Sequence, residues 1–394
     1  MRILLNATTI IRGGALQRAN SVLLEALADR EQHCWCIALS RRVYDEVRRF
    51  EPPGCDDFHV FDVSPARSRD SRRRLLKLEA EFGPDCVYSV GAPAYVKFRA
   101  PHLLTCTEPW VSHPTWLAYR TMSFPHEWIA MALRTFYKAY WFRHADAWVT
   151  QSEIASRGLH RRLRLSRNNI AVVPNTCGPQ YLDSQSRRPF PAGSGKVRLL
   201  CFAASYTWKR LDLIPRVAKE LARRDPTLDF EFVITLPFDD ATLKQVMSVA
   251  RSLDVVHLIH NEGQVPVALG PKLYRRCDMC FLPTLLESFS AAYPEAMAMG
   301  LPIVTTNLAF ARDICGDAAL YFEPNDPSSA AATILDLLRE EPRWNGLIAK
   351  GKKTLAALPT SHQRHDLYMD LLGRLVESGR LSGQARGESN SCRC

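Results

Sequence analysis

Short apolar runs alternate with amphipathic stretches along the whole chain. Residues 2–5 form the first apolar run, polar and glycine residues follow, and apolar positions then recur with helical spacing over residues 19–27. The alternation begins again at residues 197–202 and 211–221. A short apolar run bounded by turn residues predicts a buried strand, and an amphipathic stretch predicts the helix that follows it. The pattern therefore predicts an α/β protein with parallel sheets and crossover helices.

The chain length indicates two domains. Its 394 residues exceed what one hydrophobic core usually serves. Residues 183–196 are rich in Ser, Arg, Pro and Gly, which is typical of a linker, and the strand–helix pattern restarts directly after them. We therefore expect the domain boundary within this segment.

Positive charge is concentrated in the first half of the chain. The net charge is +10, and residues 1–194 contain 27 Lys and Arg against 18 Asp and Glu. A basic surface favours an acidic partner, such as an anionic membrane, a phosphorylated lipid or a nucleic acid. A merely solvated basic face would give the same composition. No nucleic-acid-binding motif accompanies the charge, so we do not expect a nucleic-acid partner.

The cysteines and the N-terminal residues indicate a compartment. Twelve cysteines are scattered without the spacing of a zinc site or of a small secreted framework, which fits a reducing cytosol. The apolar start turns polar at Asn6, too early for a signal peptide, and the sequence has no run of about 18 apolar residues. We therefore expect a cytoplasmic protein. The basic charge adds the expectation that it attaches peripherally to the inner face of the membrane.

Residues 127–148 are dense in aromatic side chains and include Arg134, Lys138 and Arg143. A helix of this kind can pack its rings under the sheet of the first domain, or it can lie on a lipid surface. We favour core packing, and the charge asymmetry keeps the lipid alternative open.

The segment with the most chemical information is residues 282–302. A loop at 288–292 precedes a predicted helix that starts near Pro294, and Gly300 ends that helix. Backbone N–H groups at such a helix start bind phosphate. Glu287 and Glu295 flank the loop, where carboxylates suit the neutral hydroxyls of a sugar and a ribose. The alternative is two acids on a solvent-facing helix.

These residues resemble a known family. Glu287-x7-Glu295, followed by Ala-Met-Ala-Met-Gly-Leu-Pro at 296–302, is similar to the E-x7-E signature of the retaining GT-B glycosyltransferases of family four. The resemblance extends to Lys209 and to Gly-Asp-Ala-Ala at 316–319. It is strong over residues 170–330 and weaker in the first half.

The resemblance implies a GT-B fold, with two Rossmann-like β/α/β domains facing each other across a cleft. On this basis residues 1–185 are an acceptor-binding N-terminal domain, and residues 186–358 are a nucleotide-sugar-binding C-terminal domain. Residues 359–379 are a helix that packs back on the N-terminal domain. We expect a disordered tail over residues 380–394, since Ser, Gly, Arg and Asn cannot bury much surface.

Family resemblance assigns the donor contacts. Glu295 would bind the ribose hydroxyls and Glu287 the donor sugar. Ser288, Phe289 and Ser290 would present backbone amides to the diphosphate and the sugar. The serines depart from the family, which commonly has glycine at both positions.

Lys209 and Arg210 are the predicted cations of the site. Lys209 matches the lysine that reaches the donor diphosphate in the family. The arginine that the family carries upstream is missing, since Ala204 and Ser205 occupy that region, and Arg210 would substitute for it in part. The alternative for Lys209 is a surface lysine at a helix start.

Two further candidates lie in the first half. Gly13 and Gly14 resemble the family's N-terminal glycine loop near the donor or acceptor, although a plain turn explains them equally well. His113, or Glu108 before it, would face the donor sugar in the family's arrangement. A packed loop histidine is the alternative for His113.

The resemblance implies transfer of a sugar from a nucleotide-sugar to a glycan or lipid-linked acceptor with retention of configuration, in surface polysaccharide or glycolipid synthesis. The nucleotide-sugar is a substrate, and neither a cofactor nor a metal is expected. A nucleotide-sugar epimerase on the same skeleton is the alternative enzyme. A non-enzymatic binder of an anionic membrane or nucleic acid is the alternative outside enzymes.

Overall fold

The computed structural model describes residues 1–11, 14–48, 58–182, 189–191 and 195–391, and for Val267 and residues 380–391 it describes the backbone alone. The strands of these residues, in chain order, are β1 (Arg2–Ala7), β2 (Cys34–Ser40), β3 (His59–Phe61), β4 (Cys86–Ser89), β5 (His102–Thr105), β6 (Ala147–Thr150), β7 (Ile170–Val172), β8 (Val197–Cys201), β9 (Phe230–Ile234), β10 (Ile259–Asn261), β11 (Met279–Leu282), β12 (Ile303–Thr306) and β13 (Ala319–Phe322).

The α-helices are α1 (Gly14–Ala28), α2 (Arg41–Arg48), α3 (Arg69–Phe82), α4 (Pro109–Ser112), α5 (Trp116–Tyr119), α6 (His126–Phe142), α7 (Glu153–Leu163), α8 (Pro179–Leu182), α9 (Ile214–Arg224), α10 (Ala241–Ser252), α11 (Gly270–Arg275), α12 (Ala292–Ala298), α13 (Ala309–Cys315), α14 (Pro327–Leu338), α15 (Glu341–Ala356) and α16 (Ser361–Ser391). Among the described residues, no helix combines the length and hydropathy required to cross a bilayer.

The chain divides into two compact units. Unit 1 consists of Met1–His113, Ala130–Pro174 and Thr360–Cys394, and unit 2 consists of Pro114–Ile129 and Asn175–Pro359. Each unit has its own parallel sheet, which confirms the predicted α/β class with two Rossmann-like sheets. The residue bounds of the predicted domains, and the roles assigned to them, stay predictions.

Unit 1 is built on a seven-stranded sheet of described residues, in the order β3-β2-β1-β4-β5-β6-β7. Side chains of β1 alternate between two cores: Ile3 and Leu5 pack in one, and Leu4 packs in the other. The first core also contains Tyr368 and Leu372 of α16. Because both faces of this parallel sheet are covered, side chains on both sides of β1 are buried, and the strand has a continuous apolar run.

Helix α16 continues to Ser391, past residue 379, where we expected the ordered chain to end. Tyr368 stacks on Tyr88 of β4 with the ring centroids 5.1 Å apart, and Val376 lies in the same core as β1. The C-terminal helix therefore contributes to the core of unit 1.

Unit 2 is built on a six-stranded sheet of described residues, in the order β10-β9-β8-β11-β12-β13. Strand β11 lies between β8 and β12 and is buried throughout. The Phe281 ring of β11 stacks on Phe322 of β13 at a centroid distance of 5.4 Å. This packing holds in place the strand that precedes the loop between β11 and α12.

Helix α6 exposes one face rich in apolar side chains. Leu133, Phe136 and Tyr140 of unit 1 are 66%, 73% and 51% exposed. Their spacing places them on one side of the helix, whereas Thr135 and Phe142 are buried. The expectation that core packing accounts for the aromatic residues of this helix is therefore wrong for this face. We call Leu133, Phe136 and Tyr140 the exposed face of α6.

Candidate active site

The loop between β11 and α12 is held firmly within unit 2. The Leu285 N–H donates to the Trp208 carbonyl at 2.8 Å, and the Thr306 hydroxyl donates to the Thr284 carbonyl at 2.6 Å. The Thr115 hydroxyl donates to the Leu285 carbonyl at 3.1 Å. These contacts tie the loop to the segment before Lys209 and to the neighbouring strand.

Helix α12 begins at Ala292, two residues before the predicted start near Pro294. Pro294 is the third residue of the helix, where its missing N–H still removes no intrahelical bond. Gly300 has a positive φ of 67°, a conformation that glycine adopts without strain. The sequence therefore located the loop and the end of the helix correctly.

Lys209 contacts Glu287 directly. The Lys209 ammonium donates to Glu287 Oε1, and the two side chains are 12% and 13% exposed. Burial lowers the pKa of Lys209 from 10.5 to about 8, and the nearby Cys201 thiol acts in the opposite direction. Lys209 is therefore a largely buried cation next to the loop, and the surface-lysine alternative is excluded.

Arg210 follows Lys209 in a left-handed conformation, with a φ of 52°. Its guanidinium donates to both carboxylate oxygens of Asp212, at 2.9 and 3.0 Å, and also contacts the Asn325 side chain. The bidentate pair compensates its charge. The predicted role of Arg210 as a substitute for the missing arginine stays a prediction.

Glu295 is buried at the start of α12, with 4% of its surface exposed. The Tyr274 hydroxyl of α11 donates to Glu295 Oε2 at 2.9 Å. Burial raises the pKa of Glu295 from 4.5 to about 7, and the hydroxyls of Tyr274 and Tyr181 oppose that rise. The charge of this carboxyl therefore changes near neutral pH, which the sequence pattern did not indicate.

Ser288, Phe289 and Ser290 are all buried in the loop that joins Glu287 to α12. The structure thus brings the predicted residues of the second half into one continuous segment of unit 2, with Lys209 against it. Sequence reasoning missed Tyr274, because nothing in a local pattern indicates which side chain of α11 faces Glu295.

The predicted residues of the first half lie in unit 1. Gly13 lies outside the described residues, and Gly14 is the first residue of α1. His113 follows α4, and its Nδ1 lies 2.8 Å from the Ser112 hydroxyl. Glu108 accepts from the Lys138 ammonium at 2.5 Å. The roles proposed for these residues stay predictions.

Two family models match the chain. The model described as Glycosyltransferase Family 4 matches residues 17–178, and the model described as Glycosyl transferases group 1 matches residues 196–340. Together they cover well over half of the chain, and each falls within one half.

Curated relatives match over part of their length. The chain is 26% identical over 174 residues to the D-inositol 3-phosphate glycosyltransferase of Thermomonospora curvata, a match that covers 42% of this chain and 40% of that protein. It is 34% identical over 79 residues to the O-antigen chain mannosyltransferase B of Escherichia coli, with 20% and 21% covered. The chain thus spans about two fifths of the first relative and one fifth of the second.

Solved structures match over nearly the whole chain. A glycosyltransferase from Rickettsia africae aligns with a TM-score of 0.71 at 15% identity, covering 95% of this chain and 98% of that one. Anabaena Alr3699/HepE in complex with UDP and glucose aligns with a TM-score of 0.67 at 14% identity, covering 94% and 99%. WaaG, a glycosyltransferase of lipopolysaccharide biosynthesis, aligns with a TM-score of 0.66 at 13% identity, covering 93% and 98%. These likenesses support the GT-B fold.

The two family models match both halves of the chain, and its two parallel sheets fit the GT-B fold. The chain therefore belongs to the group 1, family 4 glycosyltransferases.

Proposed function

We propose that this protein transfers a sugar from a nucleotide-sugar donor to a glycan or lipid-linked acceptor, with retention of anomeric configuration. The observation that carries the proposal is the largely buried Lys209–Glu287 pair beside the loop that leads to Glu295. A cation and two carboxylates around one loop offer groups suited to a diphosphate, a sugar and a ribose.

The donor would bind unit 2. Lys209 would attract the diphosphate, and Glu287 would then accept a hydrogen bond from a hydroxyl of the donor sugar. Glu295, whose Oε2 accepts from Tyr274, would accept a hydrogen bond from a ribose hydroxyl. The Anabaena protein with UDP and glucose supports a donor of this class.

The reaction would be a front-side displacement. The bond between the anomeric carbon and the diphosphate oxygen breaks, and the acceptor oxygen bonds to the anomeric carbon on the same face. The acceptor proton passes to the departing diphosphate. Stabilising the charge that develops on this leaving group would be the main task of the site, and the contact of Lys209 with Glu287 beside the loop supports Lys209 in this role.

The acceptor would belong to a surface polysaccharide or a glycolipid. The names of the O-antigen mannosyltransferase and of the lipopolysaccharide enzyme WaaG support this class. The exposed face of α6 supports attachment to an anionic membrane, since Leu133, Phe136 and Tyr140 can enter the interface while Arg134 on the same helix meets the lipid phosphates. We place the protein at the inner face of the membrane on this basis.

The experiment begins with a thermal-shift screen against UDP-, GDP- and ADP-sugars, since a ligand that binds only the folded protein raises its Tm. The donor that gives a shift is then incubated with and without candidate acceptors, and free nucleotide is measured. Release of nucleotide that requires an acceptor supports glycosyl transfer. Conversion of the nucleotide-sugar without an acceptor would instead identify an epimerase.

A further inference from the structure

A buried arginine in unit 1 takes no part in the donor site proposed above. Arg18 lies in α1 and is 3% exposed. One terminal nitrogen contacts the Tyr368 hydroxyl, and the guanidinium carbon lies 5.7 Å from the centroid of the Tyr368 ring. Its Nε and Nη1 are buried and have no hydrogen-bond partner among the residues that the structure describes.

A second buried arginine lies beside it. Arg364 of α16 is also 3% exposed and donates to the Ser21 hydroxyl at 2.6 Å. Burial lowers the pKa of Arg364 and the positive charge of Arg18 lowers it further, whereas Tyr368, Tyr88 and Glu25 oppose these effects only in part. Two neighbouring buried cations are costly unless an anion compensates them, because each has lost its hydration.

The place of Arg18 in the fold points to a ligand. Strand β1 pairs with β2 on one side and with β4 on the other, so the strand order reverses between β1 and β4. In open parallel sheets, ligands bind outside the carboxyl ends of the strands at such a reversal. Helix α1 is the helix that follows β1, and Arg18 lies in its first two turns.

Polar side chains continue this edge of the sheet. Asn6, near the carboxyl end of β1, donates to the hydroxyl of Ser89, the last residue of β4, at 2.9 Å. The Thr105 hydroxyl, at the end of β5, lies 3.5 Å from the Tyr88 hydroxyl. The apolar core of unit 1 thus gives way to hydroxyl and amide groups where the strands end.

We propose that Arg18 binds a phosphate group of the acceptor, with Arg364 contributing charge from α16. The inference rests on the proposed function, because it names the chemical class of the acceptor: a phosphorylated or phosphate-linked molecule. Each of the two free guanidinium nitrogens can donate a charge-assisted hydrogen bond to a phosphate oxygen.

The test uses the full chain and inorganic phosphate as the probe. In wild type, phosphate raises the Tm measured against phosphate-free buffer. Arg18→Met weakens phosphate binding at least about tenfold, since charge-assisted hydrogen bonds are lost. Without phosphate, Arg18→Met leaves the Tm unchanged or raises it, because methionine removes a buried charge that lacks a partner. Arg157→Met, at an exposed arginine of α7 in the same unit, keeps the phosphate response.

Two further arms separate the possible sources of failure. Dihexanoyl phosphatidic acid, added below its micelle concentration, replaces inorganic phosphate to distinguish a lipid-linked from a soluble phosphate. The nucleoside diphosphate of the donor found in the thermal-shift screen gives the same shift in wild type and Arg18→Met, because the donor residues lie in unit 2. If none of UDP, GDP and ADP shifts the Tm of either protein, the result counts against the proposed function, and the phosphate arm alone then tests Arg18. A phosphate response that survives in Arg18→Met, or a lower Tm of this variant in phosphate-free buffer, would overturn the assignment in favour of a structural arginine.

Discussion

The Lys209 ammonium is in contact with the Glu287 carboxylate inside unit 2, with little of either side chain exposed. The two residues are 78 positions apart in the sequence, and the pair forms because the segment after β8 and the loop after β11 are hydrogen-bonded to each other. Each charge compensates the other, so a change at either residue affects stability as well as chemistry.

Replacing Lys209 by methionine should reduce kcat by about 10²–10³-fold, because the charge on the departing diphosphate loses its stabilising cation. Steady-state kinetics with the donor found by thermal shift measure the effect. The single variant also leaves the Glu287 carboxylate buried without its partner, which costs roughly 3–5 kcal/mol of stability.

The double variant Lys209→Met/Glu287→Gln serves as the control for folding. It replaces both charges by neutral groups of similar size, so we expect its Tm to return toward that of wild type while kcat stays low. Wild-type turnover in the double variant would show that Lys209 has no part in the reaction.

Glu295→Ala should raise the donor KM, because the proposed ribose contact is lost. One good hydrogen bond to a charged acceptor corresponds to a KM increase of about 10–100-fold, measured by initial rates at saturating acceptor. The matched control is Tyr274→Phe, which removes the neighbouring hydroxyl and keeps the carboxylate. An unchanged KM in Glu295→Ala would remove this residue from the donor site.

The pKa of Glu295 predicts how stability depends on pH. Burial raises this pKa from 4.5 to about 7, so the folded protein holds a proton that the unfolded chain releases between these pH values. Stability therefore falls as pH rises through this window, by an amount on the order of 3 kcal/mol. Glu295→Gln should show a flatter profile of unfolding free energy against pH in urea titrations followed by tryptophan fluorescence. Parallel profiles for the two proteins would contradict the raised pKa.

The exposed face of α6 should govern membrane binding. Phe136→Glu removes a side chain that is 73% exposed and adds a charge that anionic lipid repels, so co-sedimentation with vesicles containing phosphatidylglycerol should fall by at least about tenfold. Phe238→Glu is the matched control, since Phe238 is 75% exposed but lies in unit 2. Equal losses in both variants would indicate a general effect of charge.

Local patterns were sufficient to predict the two sheets and the loop before α12. Apolar runs such as β11 are buried on both faces, and Gly300 ends its helix through a conformation that glycine favours. Both features depend on residues close together in the chain, and such features are visible in a single sequence.

Contacts between distant residues could not be predicted in this way. Arg18 meets Tyr368 across 350 positions, and Glu295 meets Tyr274 from a different helix. Pro114–Ile129 belongs to unit 2 although it lies within the predicted first domain, and no break in composition marks it. The exposed face of α6 was misjudged for a related reason: an aromatic helix has the same composition whether it covers a sheet or faces solvent.

The arrangement of α16 has a consequence for biosynthesis. Tyr368, Leu372 and Val376 complete a core whose other members lie within the first half of the chain. A ribosome must therefore translate all of unit 2 before unit 1 can bury its last apolar surface. Until that moment the nascent first sheet has a hydrophobic flank open to solvent or to a chaperone, and a premature stop before residue 368 would leave this flank uncovered.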